Sequence, residues 1–139
     1  MVANVLDRFE FRSVRANEAE EVAEIEKICF PPHEVCSKKD MFERVEHAPE
    51  LFLVAVDKET GTIAGFLNGL ATDEEAFRDE FFTDITVHNP EGKNIFLLGL
   101  DVRPEYRRQG LAREIMNQYV KREQAKGRKM LKLTCLEQK

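Results

Sequence analysis

The chain has 139 residues, of which 42% are hydrophobic and 34% charged, and its formal net charge at pH 7 is −5. This length suffices for one domain, residues 1–139, to bury a core without disulfides, and its three cysteines are spaced too widely for a metal-binding pair. The acidic balance argues against nucleic-acid binding, and no apolar run reaches the roughly 20 residues of a membrane span, so we predict a cytoplasmic protein without a metal.

The first third of the chain predicts a strand followed by two helices. Apolar and polar residues alternate over Phe9–Val14, as they do in a strand with one buried face. Asn17 and Glu20 have the spacing of a capping box and precede apolar residues at helical intervals. Ser37 and Asp40 repeat this pattern after a pair of prolines, which indicates a second, shorter helix.

The middle of the chain predicts three strands. The apolar runs Leu51–Val56 and Ile63–Leu70 are joined by a short polar connection that suits a hairpin, so they should be antiparallel neighbours. An acidic stretch over Thr72–Phe82 indicates a short surface helix. The apolar run Ile95–Val102 then predicts a strand that is covered on both faces, with Gly99 marking a bulge or a close backbone approach.

The last third predicts a long helix and a final strand. Apolar residues at helical spacing run from Gly110 to about Lys126, and Gly127 ends the helix. The final strand should be Lys129–Leu136. A strand, a helix and a strand in this order form a parallel crossover unit, and such units bind ligands at the carboxyl ends of their strands.

The connection Val102–Ala112 joins the buried strand to the long helix. The start of a helix offers unpaired backbone N–H groups and the positive end of the helix dipole, which together bind phosphate groups. Gly110 lets the backbone approach an anion closely, and the small side chain of Ala112 keeps the first turn open. Three arginines add positive charge there: Arg107, Arg108 and Arg113. The glycine spacing fits neither a Walker loop nor a dinucleotide fingerprint, so the pattern indicates another polyphosphate ligand.

The sequence Arg107-x-x-Gly110-x-Ala112, which follows Leu100-Asp101-Val102, resembles the acetyl-CoA pyrophosphate loop of the GNAT superfamily. The resemblance implies a mixed α+β fold, with a mostly antiparallel sheet flanked by helices and a parallel β-α-β cofactor unit. It also implies that the strand backbone pairs with the pantetheine arm of acetyl-CoA and that loop amides wrap its pyrophosphate. The cofactor-binding residues implied are Leu100, Asp101, Val102, Arg107, Arg108, Gln109, Gly110, Leu111, Ala112 and Arg113.

Within this superfamily the chain is similar to the serotonin (arylalkylamine) N-acetyltransferases, in the segment Ala48-Pro49-Glu50-Leu51 and in the loop His88–Gly92 among others. The resemblance places Phe30 at an aromatic wall of the amine pocket, although Phe30 fits a core role equally well. It places His33 in a loop over that pocket, where a lone histidine is more often a surface residue.

That family removes the amine proton with two histidines on the buried strand, and the matching positions here hold Phe96 and Leu98. We therefore assign no catalytic base or acid from the sequence, and we interpret Tyr106 and Tyr119 as packing residues. The resemblance also implies a further helix and strands after Leu136, for which the sequence has no residues, so the C-terminal part of the fold is expected to be missing. The exposed edge of Lys129–Leu136 then predicts self-association of the chain.

These features predict an enzyme that transfers an acetyl group from acetyl-CoA to a primary amine of a small molecule, either an arylalkylamine or a polyamine. The acidic segment Asp73–Asp84 would attract a cationic substrate. Two alternatives stay open. The acceptor could be an amine of a protein or peptide, or the domain could bind CoA with little turnover.

Overall fold

The computed structural model describes residues 5–32, 37–76 and 84–133. Its centre is a five-stranded sheet in which the strands lie side by side in chain order. Neighbouring strands pair antiparallel from β1 to β4, and β5 pairs parallel to β4. The strands are β1 Phe9–Ser13, β2 Phe52–Asp57, β3 Ile63–Thr72, β4 Asn94–Val102 and β5 Met130–Leu133. The predicted mixed and mostly antiparallel sheet with one parallel crossover is thus confirmed.

Helices pack on both faces of the sheet, and the alternation of side chains along the strands builds a core on each face. The helices are α1 Val5–Arg8, α2 Ala19–Cys29, α3 Lys38–His47 and α4 Leu111–Ala125. Helices α2 and α3 cover one face, where their buried residues meet Phe52, Val54, Val56 and Phe66. Helix α4 covers the opposite face, where its buried residues meet Leu53, Ala55, Leu67, Ile95 and Leu97. A single strand therefore contributes to both cores.

The start of α2 differs from the prediction. The capping box joins Arg15 and Glu18 rather than Asn17 and Glu20, and residues Ala16–Glu18 form a 3-10 turn. The Glu18 carboxylate accepts a hydrogen bond from the Arg15 backbone N–H at 2.8 Å and one from Arg12 at 2.6 Å. The Arg12 guanidinium on β1 binds this carboxylate and lowers the pKa of Glu18. The cap therefore lies nearer to β1 than the sequence predicted.

The second helix begins as predicted. The Oγ atom of Ser37 accepts a hydrogen bond from the backbone N–H of Asp40 at 3.0 Å, ahead of the first turn of α3. The acidic surface helix predicted over Thr72–Phe82 falls largely on residues 77–83, which lie outside the described residues. None of the described helices is long and apolar enough to cross a membrane.

Strand β4 carries an irregularity next to Gly99. Asn68 of β3 lies opposite Gly99, whereas the following Gly69 lies opposite Leu97, so Leu98 is an extra residue on β4 and forms a bulge. On its other side, β4 pairs with β5 only over Asn94–Leu97. Beyond the bulge, the outer edge of β4 is therefore unpaired by any described strand, which leaves backbone groups available to a ligand.

Candidate functional site

The loop between β4 and α4 passes twice through the left-handed conformation. Arg108 has a φ angle of 65° and Gly110 has one of 81°. Gly110 is the N-cap residue of α4, and no side chain caps the helix there. The first-turn N–H groups of α4 are thus left for an anion or for water. A Cβ atom added to Gly110 would meet nothing within 4 Å, so the backbone angle, rather than crowding, requires glycine.

Several contacts fix this loop to the sheet. The hydroxyl group of Tyr106 donates to the carboxylate of Asp57 at 2.7 Å, and the Tyr106 ring packs edge-on against Phe9. The hydrogen bond from Tyr106 lowers the pKa of Asp57. The Nε atom of Arg103 donates to the Ile63 carbonyl at 2.8 Å. Tyr106 is buried in the core beneath α4, so its interpretation as a packing residue is confirmed. These contacts tie the loop to the sheet.

The residues predicted to bind the cofactor lie together at the carboxyl end of β4. Leu100 is half-buried, Asp101, Val102 and Leu111 are buried, and the others are exposed, namely Arg107, Arg108, Gln109, Gly110, Ala112 and Arg113. The side chain of Arg107 turns back to the strand, where its Nε atom donates to the Val102 carbonyl at 3.0 Å. The thiol of Cys29 donates to the same carbonyl at 3.3 Å. The Val102 carbonyl therefore already accepts two hydrogen bonds. Leu100, in contrast, lies on the edge of β4 that no described strand pairs with.

The two predicted substrate-binding residues lie near the end of α2. Phe30 is the C-cap residue of this helix and is half-buried, and its N–H donates to the Glu26 carbonyl at 3.1 Å. His33 lies outside the described residues, and so does the Cys36 loop. Phe96 and Leu98, the two positions that the sequence resemblance matched to histidines, pack in a small apolar cluster with Leu70 and Ile85.

The face of β4 toward α2 and α3 carries a buried polar cluster that the sequence reasoning missed. Its members are Asp101, Asn68, Arg44 and Glu26, whose exposed fractions are 1%, 1%, 5% and 7%. Arg44 donates to the Asn68 side-chain oxygen at 3.2 Å, and the Asn68 amide donates to the Gly99 carbonyl at 3.5 Å. These bonds connect helix α3 to the bulge.

The carboxyl group of Asp101 is the unusual member of this cluster. Both of its oxygens are buried, and they can form a hydrogen bond with the neighbouring Glu26 carboxylate only if one of the two groups carries a proton. Burial, reinforced by the neighbouring Glu26 carboxylate, raises the pKa of Asp101 to about 10, although Arg44 and Arg107 act to lower it. Asp101 therefore carries a proton at neutral pH, and a protonated carboxyl group can donate to Glu26.

A sequence signal for this cluster does exist. Asp101 interrupts the apolar run of β4, while Glu26 and Arg44 occupy positions on the apolar stripes of α2 and α3. A charged residue on a buried stripe requires a partner. The sequence does not show that the three stripes meet at one place.

Comparisons with known proteins bear on this arrangement. A family model described as the acetyltransferase (GNAT) family matches residues 19–138. A curated relative, the probable hydrolase YhcX of Bacillus subtilis (strain 168), is 30% identical over 114 residues, which span 74% of this chain and 22% of the relative. This chain therefore matches less than a quarter of that protein's length.

Solved structures share the fold at low sequence identity. The loading GNATL domain of CurA from Lyngbya majuscula superposes with a TM-score of 0.72 at 14% identity, over 82% of this chain and 57% of that chain. The diaminobutyrate acetyltransferase EctA from Paenibacillus lautus, in complex with its substrate L-2,4-diaminobutyric acid and coenzyme A, superposes with a TM-score of 0.65 at 17% identity. That match covers 91% of this chain and 65% of EctA. Identities this low establish the shared fold alone.

Proposed function

Since the chain belongs to the acetyltransferase (GNAT) family, we propose that it transfers an acetyl group from acetyl-CoA to a primary amine of a small molecule. The observation that carries this proposal is the loop before α4. Its two left-handed residues, Arg108 and Gly110, precede a helix whose first-turn amides have no side-chain cap. Such amides bind the phosphate groups of a ligand.

The residues present suit two parts of acetyl-CoA, its pyrophosphate and its pantetheine arm. Its pyrophosphate would contact the amides of residues 108–113, and its pantetheine arm would pair with the outer edge of β4 beyond the bulge, at Leu100. Bound acetyl-CoA supplies a thioester whose carbonyl carbon an amine can attack. This chain's part is to hold the thioester at that edge, to bring a neutral amine beside it and to stabilise the charge that develops on the carbonyl oxygen.

We further propose that the amine is cationic in solution. The net charge of −5 favours the approach of a cation, and EctA, which has the same fold, was solved with a diamino acid. The sequence resemblance to serotonin N-acetyltransferases makes an arylalkylamine one candidate for the substrate. A protein or peptide amine and a weakly active CoA-binding domain are the alternatives. The cytoplasmic location and the self-association through β5, which is the edge strand of the described sheet, remain predictions.

Acetyl-CoA binding tests the loop directly. Gly110→Val should weaken binding by about tenfold or more in titration calorimetry, because a branched side chain obstructs the close approach of the anion and strains the backbone. Gly127→Val is a matched control, because Gly127 has a φ angle of 89°, also has open space around its Cβ position and lies at the opposite end of α4. It should bind acetyl-CoA within about twofold of the wild type if strain alone has no effect. Equal affinities for the two variants would refute the assignment of the loop.

Turnover distinguishes the alternatives. The wild type is mixed with acetyl-CoA and with ethylamine, tyramine, spermidine, L-2,4-diaminobutyric acid or a short peptide, and the release of free thiol is followed. Turnover with the small amines supports the proposal. Turnover with the peptide alone favours the peptide alternative, and binding of acetyl-CoA without turnover favours the CoA-binding domain.

A further inference from the structure

We propose that Asn68 and Arg44 position the cofactor-binding edge of β4. The Asn68 side-chain amide, fixed by Arg44, holds the Gly99 carbonyl on the inner side of the strand, so that the Leu100 N–H points outward to the pantetheine arm. This inference rests on the proposed function and deepens it, because it assigns the side chains that keep the binding edge in shape. Asn68 and Arg44 act through the backbone of β4, and they are therefore positioning residues.

The first support is the direction of the backbone groups along β4. The Arg103 N–H donates to the Ala64 carbonyl of β3 at 2.8 Å, so it faces inward. Successive residues of an antiparallel pair face the partner strand and the outside in turn, so Leu100 and Val102 face outward. The Val102 carbonyl agrees with this alternation, because its hydrogen-bond donors lie on α2 and in the loop rather than on β3. The N–H of Leu100 is thus directed to the outer edge of the described sheet.

The second support is the peptide group that joins Gly99 to Leu100. In a planar trans peptide the C=O and N–H bonds point in opposite directions. The Gly99 carbonyl therefore has to face inward for the Leu100 N–H to face outward. This peptide group directly follows the bulge at Leu98, where the ladder of backbone hydrogen bonds is disrupted. An anchor from a side chain therefore matters more here than in a regular strand.

The third support is the anchor itself. Asn68 lies opposite Gly99 on β3, and its Nδ2 atom donates to the Gly99 carbonyl at 3.5 Å. Its Oδ1 atom accepts a hydrogen bond from Arg44 at 3.2 Å. A guanidinium group can only donate, so Arg44 turns the amide oxygen of Asn68 toward itself and the NH2 group toward Gly99. Asn68 and Arg44 are 1% and 5% exposed, so water competes little for these bonds.

This chain of hydrogen bonds requires an amide at position 68. The side chain has a donor, Arg44, on one side and an acceptor, the Gly99 carbonyl, on the other, and an amide matches both. An aspartate at this position would stay ionised beside Arg44 and would place its second oxygen against the Gly99 carbonyl. Two acceptors repel each other, so the peptide group would turn and the Leu100 N–H would lose its outward direction.

Two ligands separate the edge of β4 from the loop before α4. Acetyl-CoA would use both, whereas ADP keeps the pyrophosphate and lacks the pantetheine arm. In titration calorimetry, Asn68→Asp should weaken acetyl-CoA binding by about tenfold, the effect of one lost hydrogen bond with an unpaired partner, and should leave ADP binding within about twofold of the wild type.

A second buried asparagine provides a matched control. Asn94 lies at the other end of β4, and its side-chain amide also donates to a backbone carbonyl, that of Glu74, at 2.9 Å. Asn94→Asp therefore makes the same chemical change away from the proposed binding edge. It should leave the ratio of the affinities for acetyl-CoA and ADP unchanged.

Hydrogen exchange of the Leu100 amide, followed by NMR, reports on the edge directly. In the wild type, saturating acetyl-CoA should slow this exchange, and saturating ADP should not. In Asn68→Asp, saturating acetyl-CoA should slow it much less. Asn68→Ala removes the amide without adding a charge, so it carries the same test if Asn68→Asp does not fold, and urea unfolding checks both variants.

Equal losses of affinity for acetyl-CoA and ADP, or an unchanged affinity for acetyl-CoA, in a folded Asn68 variant would overturn the positioning role while leaving the proposed acetyl transfer intact. The same conclusion would follow if acetyl-CoA bound to the wild type without slowing exchange at Leu100. A wild type that does not bind acetyl-CoA would overturn both proposals.

Discussion

Replacing Asp101 with asparagine should stabilise the protein, and the gain should grow as the pH rises. Burial and Glu26 raise the pKa of Asp101 to about 10 in the folded chain, whereas an unfolded chain ionises this group near pH 4. Between these values the folded state binds one proton more, so wild-type stability is highest at low pH and falls by about 1.4 kcal/mol per pH unit. Asparagine has the shape of a protonated carboxyl group and does not titrate. The stability difference should therefore widen by about 3 kcal/mol from pH 6 to pH 8.

Urea unfolding at pH 6, 7 and 8 measures this difference. Asp57→Asn makes the same chemical change at another buried aspartate, but there the Tyr106 hydroxyl group lowers the pKa in the folded state. Asp57 is thus ionised in both states above pH 6, so its variant should lose stability by an amount that does not change over this range. A difference between Asp101→Asn and the wild type that stayed constant from pH 6 to pH 8 would refute the protonated state of Asp101.

Two further substitutions test the packing that supports the site. Gly65→Ala should destabilise the protein by about 1–3 kcal/mol in urea unfolding, because its Cβ atom would lie 2.6 Å from the Asp101 backbone oxygen; unchanged stability would contradict this packing. Tyr119→Phe should cost about 1–2 kcal/mol by the same measurement, because its hydroxyl group donates to the Leu51 carbonyl at 3.0 Å and that buried acceptor would lose its partner. Calorimetry should find acetyl-CoA affinity unchanged in Tyr119→Phe, and a large loss would mean that this tyrosine shapes the site.

Much of the fold was predictable from local patterns. The apolar run Ile95–Val102 and the amphipathic helix after Gly110 identified β4 and α4, because burial and backbone angles leave clear periodic signals. The cap of α2 was mispredicted, because Arg12 on β1 holds Glu18, and a side-chain contact between two elements leaves no local signal.

The candidate site also has one part that local sequence patterns predict and one part that depends on contacts between distant elements. The phosphate-binding loop is one continuous segment, so its glycine and arginines could be recognised together. The polar cluster combines α2, α3, β3 and β4, and only the folded chain places Glu26, Arg44, Asn68 and Asp101 beside one another. The apolar residues at positions 96 and 98 were recognised as unfit to act as a base, and the sequence did not indicate another residue for that role.

The bulge at Leu98 determines which core each later residue of β4 enters. Before it, Ile95 and Leu97 pack in the core beneath α4, as odd-numbered residues. After it the parity is reversed, because Leu100 and Val102 join that core while Asp101 turns toward α2 and α3. One inserted residue thus reverses the face of the sheet to which each later side chain of β4 points. A homologue with this motif but without the insertion would direct its aspartate toward the hydrophobic face of α4, away from any arginine on α3, so strand length as well as residue identity defines the site.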